Sequence, residues 1–245
     1  MKASDLLVKC LENEGVRYIF GIPGEENIDI LDSLLDSKIQ FIPTRHEQGA
    51  AFMADVYGRL TGKAGVCLST LGPGATNLVT GVADANLDRV PLVAITGQAG
   101  LDRMHKESHQ YMDTVALFKP ITKWNTLVHT ADIVPEVVRK AFKLAQMEKP
   151  GATHIDFPED VAKADLIALP IPLKDEAHTP YPTEETLGIA AKLISDANYP
   201  VVLAGNGVLR SRASESLTNF AVKLNIPVLQ DAIKQRGVSV IDCPV

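Results

Sequence analysis

The sequence predicts an α/β fold, in which a six-stranded parallel sheet with helices on both faces is followed by an incomplete βαβ unit. Three observations carry that expectation. Residues 1 to about 158 alternate between helical and strand patterns with short turns between them, as in a parallel sheet flanked by helices. The strand candidates are mostly short apolar runs, as expected for strands covered on both faces. From Leu166 to Pro182 the pattern gives way to a segment with Pro170, Pro172, Pro180 and Pro182, which neither a helix nor a central strand tolerates.

Each element has its own signal. Leu6, Leu7, Cys10 and Leu11 share a helical face ahead of a strand at Val16–Phe20. Ile28, Leu31, Leu34 and Leu35 share another, ahead of a strand at Gln40–Thr44. A helix rich in small residues follows it, then strands at Ala64–Thr70, Pro91–Gly97 and Trp124–Val128. Val134 through Met147 repeats apolar residues at helical spacing before the sixth strand, Ala152–Pro158. Beyond the proline-rich segment, Leu187, Ala190, Ala191 and Ile194 form a helical stripe, Pro200–Ala204 a buried strand and Gly205-Asn206-Gly207 a turn. Leu217, Phe220, Ala221 and Leu224 form a second stripe, and Ile226–Leu229 another strand. The expected organisation is a first domain at 1–165, a linker at 166–182 and a partial, Rossmann-like domain at 183–245. Roughly 60 residues with two parallel strands is small for an independent domain. The polar tail from Gln230 to Val245 does not obviously complete it.

Composition narrows the function classes. The chain has 245 residues, 46% hydrophobic and 22% charged, which excludes disorder, collagen and coiled coil. A net charge of −6 without a long basic run excludes a nucleic-acid footprint. Cys10, Cys67 and Cys243 are far apart and form no C-x-x-C pair, which argues against a disulfide framework or a thiolate metal site and for a reducing compartment. Lys2, Asp5, Lys9, Glu12 and Glu14 leave no signal-peptide core, and no apolar run approaches the roughly 20 residues of a membrane span. The expected location is the cytosol.

Four segments carry the candidate chemistry, and all follow predicted strands. In Arg45-His46-Glu47-Gln48-Gly49-Ala50, Glu47 is either an acidic residue favoured by the dipole of a first helical turn, or a carboxylate held for acid–base work at the carboxyl edge of the sheet. It is not a zinc-protease motif, since Ala50 stands where the second histidine is required. Thr70-Leu71-Gly72-Pro73-Gly74-Ala75-Thr76-Asn77 brings glycine backbone and a helix N-terminus to the same edge, but lacks the third glycine of a dinucleotide fingerprint. Gly21-Ile22-Pro23-Gly24-Glu25 and His109-Gln110-Tyr111-Met112-Asp113-Thr114 are by themselves a turn and a helix start. Four such segments on one edge of one sheet suggest a binding site.

Together they resemble the pyrimidine-binding domain of thiamin-diphosphate enzymes, in the acetolactate synthase and pyruvate oxidase group. The resemblance covers residues 1 to about 165, and Tyr199–Gly207 resembles the start of that family's central domain. It implies that Glu47 hydrogen-bonds the ring nitrogen of the cofactor's aminopyrimidine, favouring the imino form that removes the proton from C2 of the thiazolium. It implies that Pro23, Gly24, Pro73, Asn77 and Gln110 surround that ring and the reactive carbon, with Glu47 and Gln110 catalytic. The substrate it implies is a 2-oxo acid such as pyruvate, and the assembly a homo-oligomer, dimer or tetramer, without membrane or nucleic-acid partners.

Within the group, His109–Thr114 and Phe118–Lys123 look most like the catabolic acetolactate synthases. Biosynthetic members bind FAD and usually carry arginine where Lys119 stands, which puts FAD in doubt. The family holds the diphosphate and Mg²⁺ with a Gly-Asp-Gly and a later Asn, and no Gly-Asp-Gly occurs here. Gly205-Asn206-Gly207 mimics it loosely but lacks the aspartate a hard cation needs. The expectation is therefore half of an active site with no metal ligands, inactive alone. The alternative is a truncated, regulatory or split subunit of a related pyruvate oxidase- or carboligase-type enzyme.

Overall fold

The computed structural model describes residues 1–106, 110–173 and 181–230, and the chain divides into two compact units, Met1–Lys174 and Asp175–Val245. The first unit runs α1 (Ala3–Asn13), β1 (Tyr18–Gly21), α2 (Ile28–Leu34), β2 (Gln40–Pro43), α3 (Glu47–Thr61), β3 (Gly65–Ser69) and α4 (Pro73–Leu87). It continues through β4 (Leu92–Gln98), α5 (Thr114–Phe118), β5 (Trp124–Leu127), α6 (Val134–Gln146), β6 (Ala152–Pro158) and α7 (Glu159–Lys163). The six strands form one sheet in the order β2-β1-β3-β4-β6-β5, and every neighbouring pair is parallel. The strands fall within two residues of their expected bounds. The first begins at Tyr18 rather than Val16 because the Val16 amide is used by the Leu11 carbonyl, closing the turn after α1.

Side chains alternate across the sheet into two cores. Val66, Leu68, Val93, Ile95, Ile155 and Phe157 pack with apolar residues of α1, α2 and α6. Cys67, Leu92, Ala94 and Ala152 pack on the other face with residues of α3, α4 and α5. Covering both faces is what turned the strands into apolar runs. On the second face the approach is close. A Cβ on Gly81 of α4 would lie 2.6 Å from Ala51 Cβ of α3, and one on Gly65 of β3 would lie 2.0 Å from the Ala54 carbonyl oxygen. At the far end of these helices Arg59 donates to Asp55, Asp84 and Asp88 at 2.7, 2.9 and 2.7 Å.

The first residues of the proline-rich segment lie on the first unit. Leu166 exchanges hydrogen bonds with Met1, and the Ile171 carbonyl accepts from Asn13 Nδ2 at 2.9 Å and Arg139 Nη2 at 3.0 Å. Pro170 and Pro172, on either side of Ile171, have no amide to donate.

In the second unit α8 (Glu184–Asp196), β7 (Val202–Ala204), α9 (Asn206–Arg210), α10 (Ser214–Leu224) and β8 (Val228–Gln230) build one βαβ repeat, with β7 and β8 parallel. The turn expected at Gly205-Asn206-Gly207 is instead the start of α9, capped by Gly205. Burial of Val208 outweighs the helix cost of one glycine. Leu187, Ile189, Leu193, Phe220, Leu224 and Val228 stay exposed, because two strands cannot cover three helices. The expected polar tail, apart from Gln230, lies outside the described residues.

The α3–α4 approach yields a direct test. Gly81→Val is expected to destabilise the first unit by about 2 kcal/mol through overpacking, read as a lower urea midpoint. An unchanged midpoint would show that the two helices separate freely.

Candidate active site

β1 pairs with β2 on one side and β3 on the other, so the winding of the chain reverses here and a crevice opens beyond the carboxyl ends of β1 and β3. The loops after these strands meet in that crevice. A Cβ on Gly24 would lie 2.3 Å from Thr70 Cγ2, so only glycine lets the first loop close onto the second. Asn27 shapes the first loop. Its Oδ1 accepts from the Gly24 amide at 2.9 Å and its Nδ2 donates to the Ile22 carbonyl at 3.1 Å, leaving Pro23 exposed at the tip.

Glu47 is the first residue of α3, where the His46 cap accepts from the Gln48 amide through Nδ1 at 3.2 Å. The dipole argument from sequence therefore applies, yet the side chain also has a partner on another helix. Asn77 Nδ2 of α4 donates to Glu47 Oε2 at 2.9 Å. The other oxygen, Oε1, lies 3.5 Å from where a Cβ on Gly74 would sit, and that same Cβ would lie 2.7 Å from Thr70 Oγ1. Glu47, Asn77, Gly74, Thr70 and Gly24 thus form one contiguous patch. The half-buried carboxylate keeps one oxygen bound and presents the other beside glycine backbone.

Pro73 opens α4 behind Gly72, whose φ of 51° is left-handed. A Cβ on Gly72 would lie 2.5 Å from the Gln110 carbonyl oxygen. Gln110, exposed and with a φ of 54°, is therefore seated on this turn. All six residues singled out from the sequence, Pro23, Gly24, Glu47, Pro73, Asn77 and Gln110, lie at one edge. His109 lies outside the described residues.

Comparison with known proteins supplies the family. Residues 1–117 match the family described as thiamine pyrophosphate enzyme, N-terminal TPP binding domain, and residues 187–242 match its central domain. The chain belongs to the thiamine pyrophosphate enzyme family. It is 45% identical over 234 residues to a probable acetolactate synthase large subunit of Methanocaldococcus jannaschii, covering 93% of this chain and 40% of that protein. It is 40% identical over 233 residues to an acetolactate synthase of Mycobacterium bovis, covering 94% and 38%. It is also 40% identical over 220 residues to a catabolic acetolactate synthase of Raoultella terrigena, covering 90% and 39%. The chain spans about 40% of the length of these curated relatives.

Beneath this edge of the thiamine-enzyme domain lies a buried polar cluster that the motif search missed. Asp156 of β6 accepts from Thr96 Oγ1 at 2.6 Å, from Gln98 Nε2 at 3.0 Å and from Thr114 Oγ1. Thr96 Oγ1 also lies 2.8 Å from His154 Nε2, and Phe118 stacks on the imidazole with ring centroids 4.0 Å apart. With its single proton committed to the carboxylate, Thr96 accepts from an Nε2–H tautomer of His154, whose Nδ1 is buried without a partner. The available signal was two polar residues, His154 and Asp156, inside an otherwise apolar strand. Thr70 and Asn27 were missed as well, since neither type is diagnostic outside its fold.

Burial pushes the His154 imidazole down to about 3 and the Asp156 carboxyl up to about 6, against three hydrogen bonds that favour the ionised carboxylate. The two act oppositely on stability. His154 resists protonation in the fold, so its contribution falls as pH drops below its ordinary value near 6.5. Asp156 holds its proton more tightly in the fold, so its contribution rises as pH falls from about 6 toward its ordinary 3.8. Between pH 6 and 4 the slopes offset. Asp156→Asn should leave His154 uncompensated, giving urea-unfolding stabilities that fall by about 1.4 kcal/mol per pH unit below 6.5. A variant with the parent's pH profile would refute both assignments.

Proposed function

We propose that this chain supplies the pyrimidine-side wall of a thiamin-diphosphate site in an acetolactate-synthase-type enzyme. That enzyme would decarboxylate pyruvate and join the remaining two-carbon unit to a second pyruvate. The observation that supports the reading most directly is Glu47, anchored through Oε2 by Asn77 and open at Oε1 beside the glycine backbone of the crevice. Glycines also let the rim segments close on one another around this carboxylate. Gly24, Gly72 and Gly74 project no side chain into the edge, and a Cβ on any of them would meet neighbouring atoms at 2.3–2.7 Å.

When bound, thiamin diphosphate supplies the electron sink that decarboxylation of a 2-oxo acid needs. The chain's own part is to orient and protonate. Glu47 Oε1 would face the ring nitrogen and share a proton with it, and Asn77 would act through Glu47 by fixing its other oxygen. Pro23, Gly24 and Pro73 would bound the ring, and Gln110, seated on the Gly72 turn, would border the reacting carbon. These 245 residues do not include the motif that would hold Mg²⁺ and the diphosphate. No Gly-Asp-Gly occurs in the sequence, and no cluster of three or more His, Cys, Asp or Glu suited to a metal is found among the described residues. FAD is left out of the reading because Lys119, exposed after α5, stands where FAD-binding members usually carry arginine.

The assembly in this reading is a cytosolic homo-oligomer. Cys10 and Cys67 are buried free thiols, and no described helix is long and apolar enough to cross a membrane. Along α3, Met53, Val56 and Leu60 expose an apolar stripe suited to a second copy. The second reading is a split or non-catalytic subunit of a related carboligase.

Two measurements separate these readings. Titration calorimetry of the chain with thiamin diphosphate and Mg²⁺ should show binding weaker than micromolar, since the charged diphosphate has no anchor. Supplying a Gly-Asp-Gly domain in trans should produce pyruvate-dependent acetolactate, and Glu47→Gln should then lower the rate by about 10²–10⁴-fold. Micromolar binding by the chain alone, or full activity of that variant, would overturn the assignment. A monomer in light scattering would remove the oligomer from the reading.

A further inference from the structure

We infer that Asp156 is a positioning residue for Gln110, gripping the segment that seats Gln110 on the Gly72 turn, and that this grip tightens as the solution is acidified. The geometry is direct. Asp156 Oδ2 accepts from the Thr114 hydroxyl at the start of α5 and from Gln98 Nε2 at the end of β4. The same Gln98 amide donates to the Met112 carbonyl at 3.2 Å, two residues from Gln110. Thr114 is therefore tied to the buried carboxylate directly and Met112 through Gln98, while Gln110 itself rests against Gly72 in a left-handed conformation that needs outside support. Gln98, Thr114 and Asp156 are all buried, so water does not compete for the two bonds to the carboxylate.

The direction of the pH effect follows from what surrounds the carboxylate. From β4 it meets only the uncharged Thr96 and Gln98, and its register partner on β5 is Leu127. On its own strand it faces the neutral His154 across Thr96, and from the segment before α5 it feels Asp113 and lies near Tyr111. Burial and the Asp113 charge disfavour the ionised form while the segment is docked, and lifting the segment lets water reach the carboxylate. Protons therefore favour the docked arrangement. A carboxyl that titrates near 6 when docked and near 3.8 when solvated strengthens docking about tenfold between pH 8 and pH 5.

The role of Gln110 as a site residue rests on the function proposed above, but the grip of Asp156 does not, and the test reads the grip alone. Amide exchange of residues 110–118 in the 245-residue chain, corrected for intrinsic rates, is followed from pH 8 to pH 5 beside global stability from urea unfolding. Protection of this segment should rise about tenfold while global stability hardly changes, because local opening leaves His154 buried. In Asp156→Asn the segment should be protected at pH 8 as the parent is at pH 5, with no pH dependence. Thr114→Val, which keeps the carboxylate but removes one tie, should lower protection of 110–118 alone. Flat protection in the parent, or a rise shared by every element, would overturn the inference. If Asp156→Asn fails to fold, the parent's pH series and Thr114→Val still decide it. Micromolar thiamin diphosphate binding by the chain alone, or full activity of the reconstituted Glu47→Gln variant, would sink the proposed function and leave these results standing.

Discussion

A parallel sheet releases its chain at one edge after every strand, and the arrangement of this molecule depends on that constraint. The first four strands end at Gly21, Pro43, Ser69 and Gln98, so the segments that follow must share one rim. Placing β1 between β2 and β3 then opens the crevice between the first and third of those segments. Glu47 enters it from the second, at the start of α3. Nothing in this geometry requires the segments to be near one another in sequence, and the Glu47–Asn77 bond spans thirty positions.

Bringing the segments to one rim is not enough to make them touch. Contact is achieved by omission of side chains. Gly24 closes on Thr70, Gly74 lies beside Thr70 and Glu47, Gly72 receives Gln110, and Gly81 allows α4 to reach α3 so that Asn77 can bond a carboxylate on the neighbouring helix. Each glycine sacrifices backbone entropy in the unfolded-to-folded step, and the return is a rim lined by backbone rather than side chains.

Below the rim the economy is reversed, and polar groups are buried where apolar ones would pack. The Asp156 cluster carries a desolvated carboxylate without a cation among its described partners and a histidine kept neutral with an unpartnered nitrogen. Apolar replacements would be less costly on general grounds. What the cluster supplies is directional: hydroxyl and amide donors from β4 and α5 can satisfy this carboxylate in few ways, so the segment carrying Gln110 has one seat.

The sequence by itself determined the class of fold, the six strands nearly to the residue and the four rim segments. These are set by local periodicity, by glycine and proline punctuation and by the rule that parallel strands read as apolar runs. Gly205-Asn206-Gly207 was misread because a glycine pair signals a turn locally, while burial of Val208, a tertiary effect, drew it into α9. Asp156, Gln98, Thr114, Thr70 and Asn27 were decided only by the tertiary structure. Their partners lie on strands and loops distant in sequence, and a threonine or asparagine acquires a role only when folding removes its water and leaves one neighbour to bond. The two oxygens of Glu47 show the same division: its presence at a helix start was legible, but which oxygen is held and which is free depends on how closely α4 approaches α3.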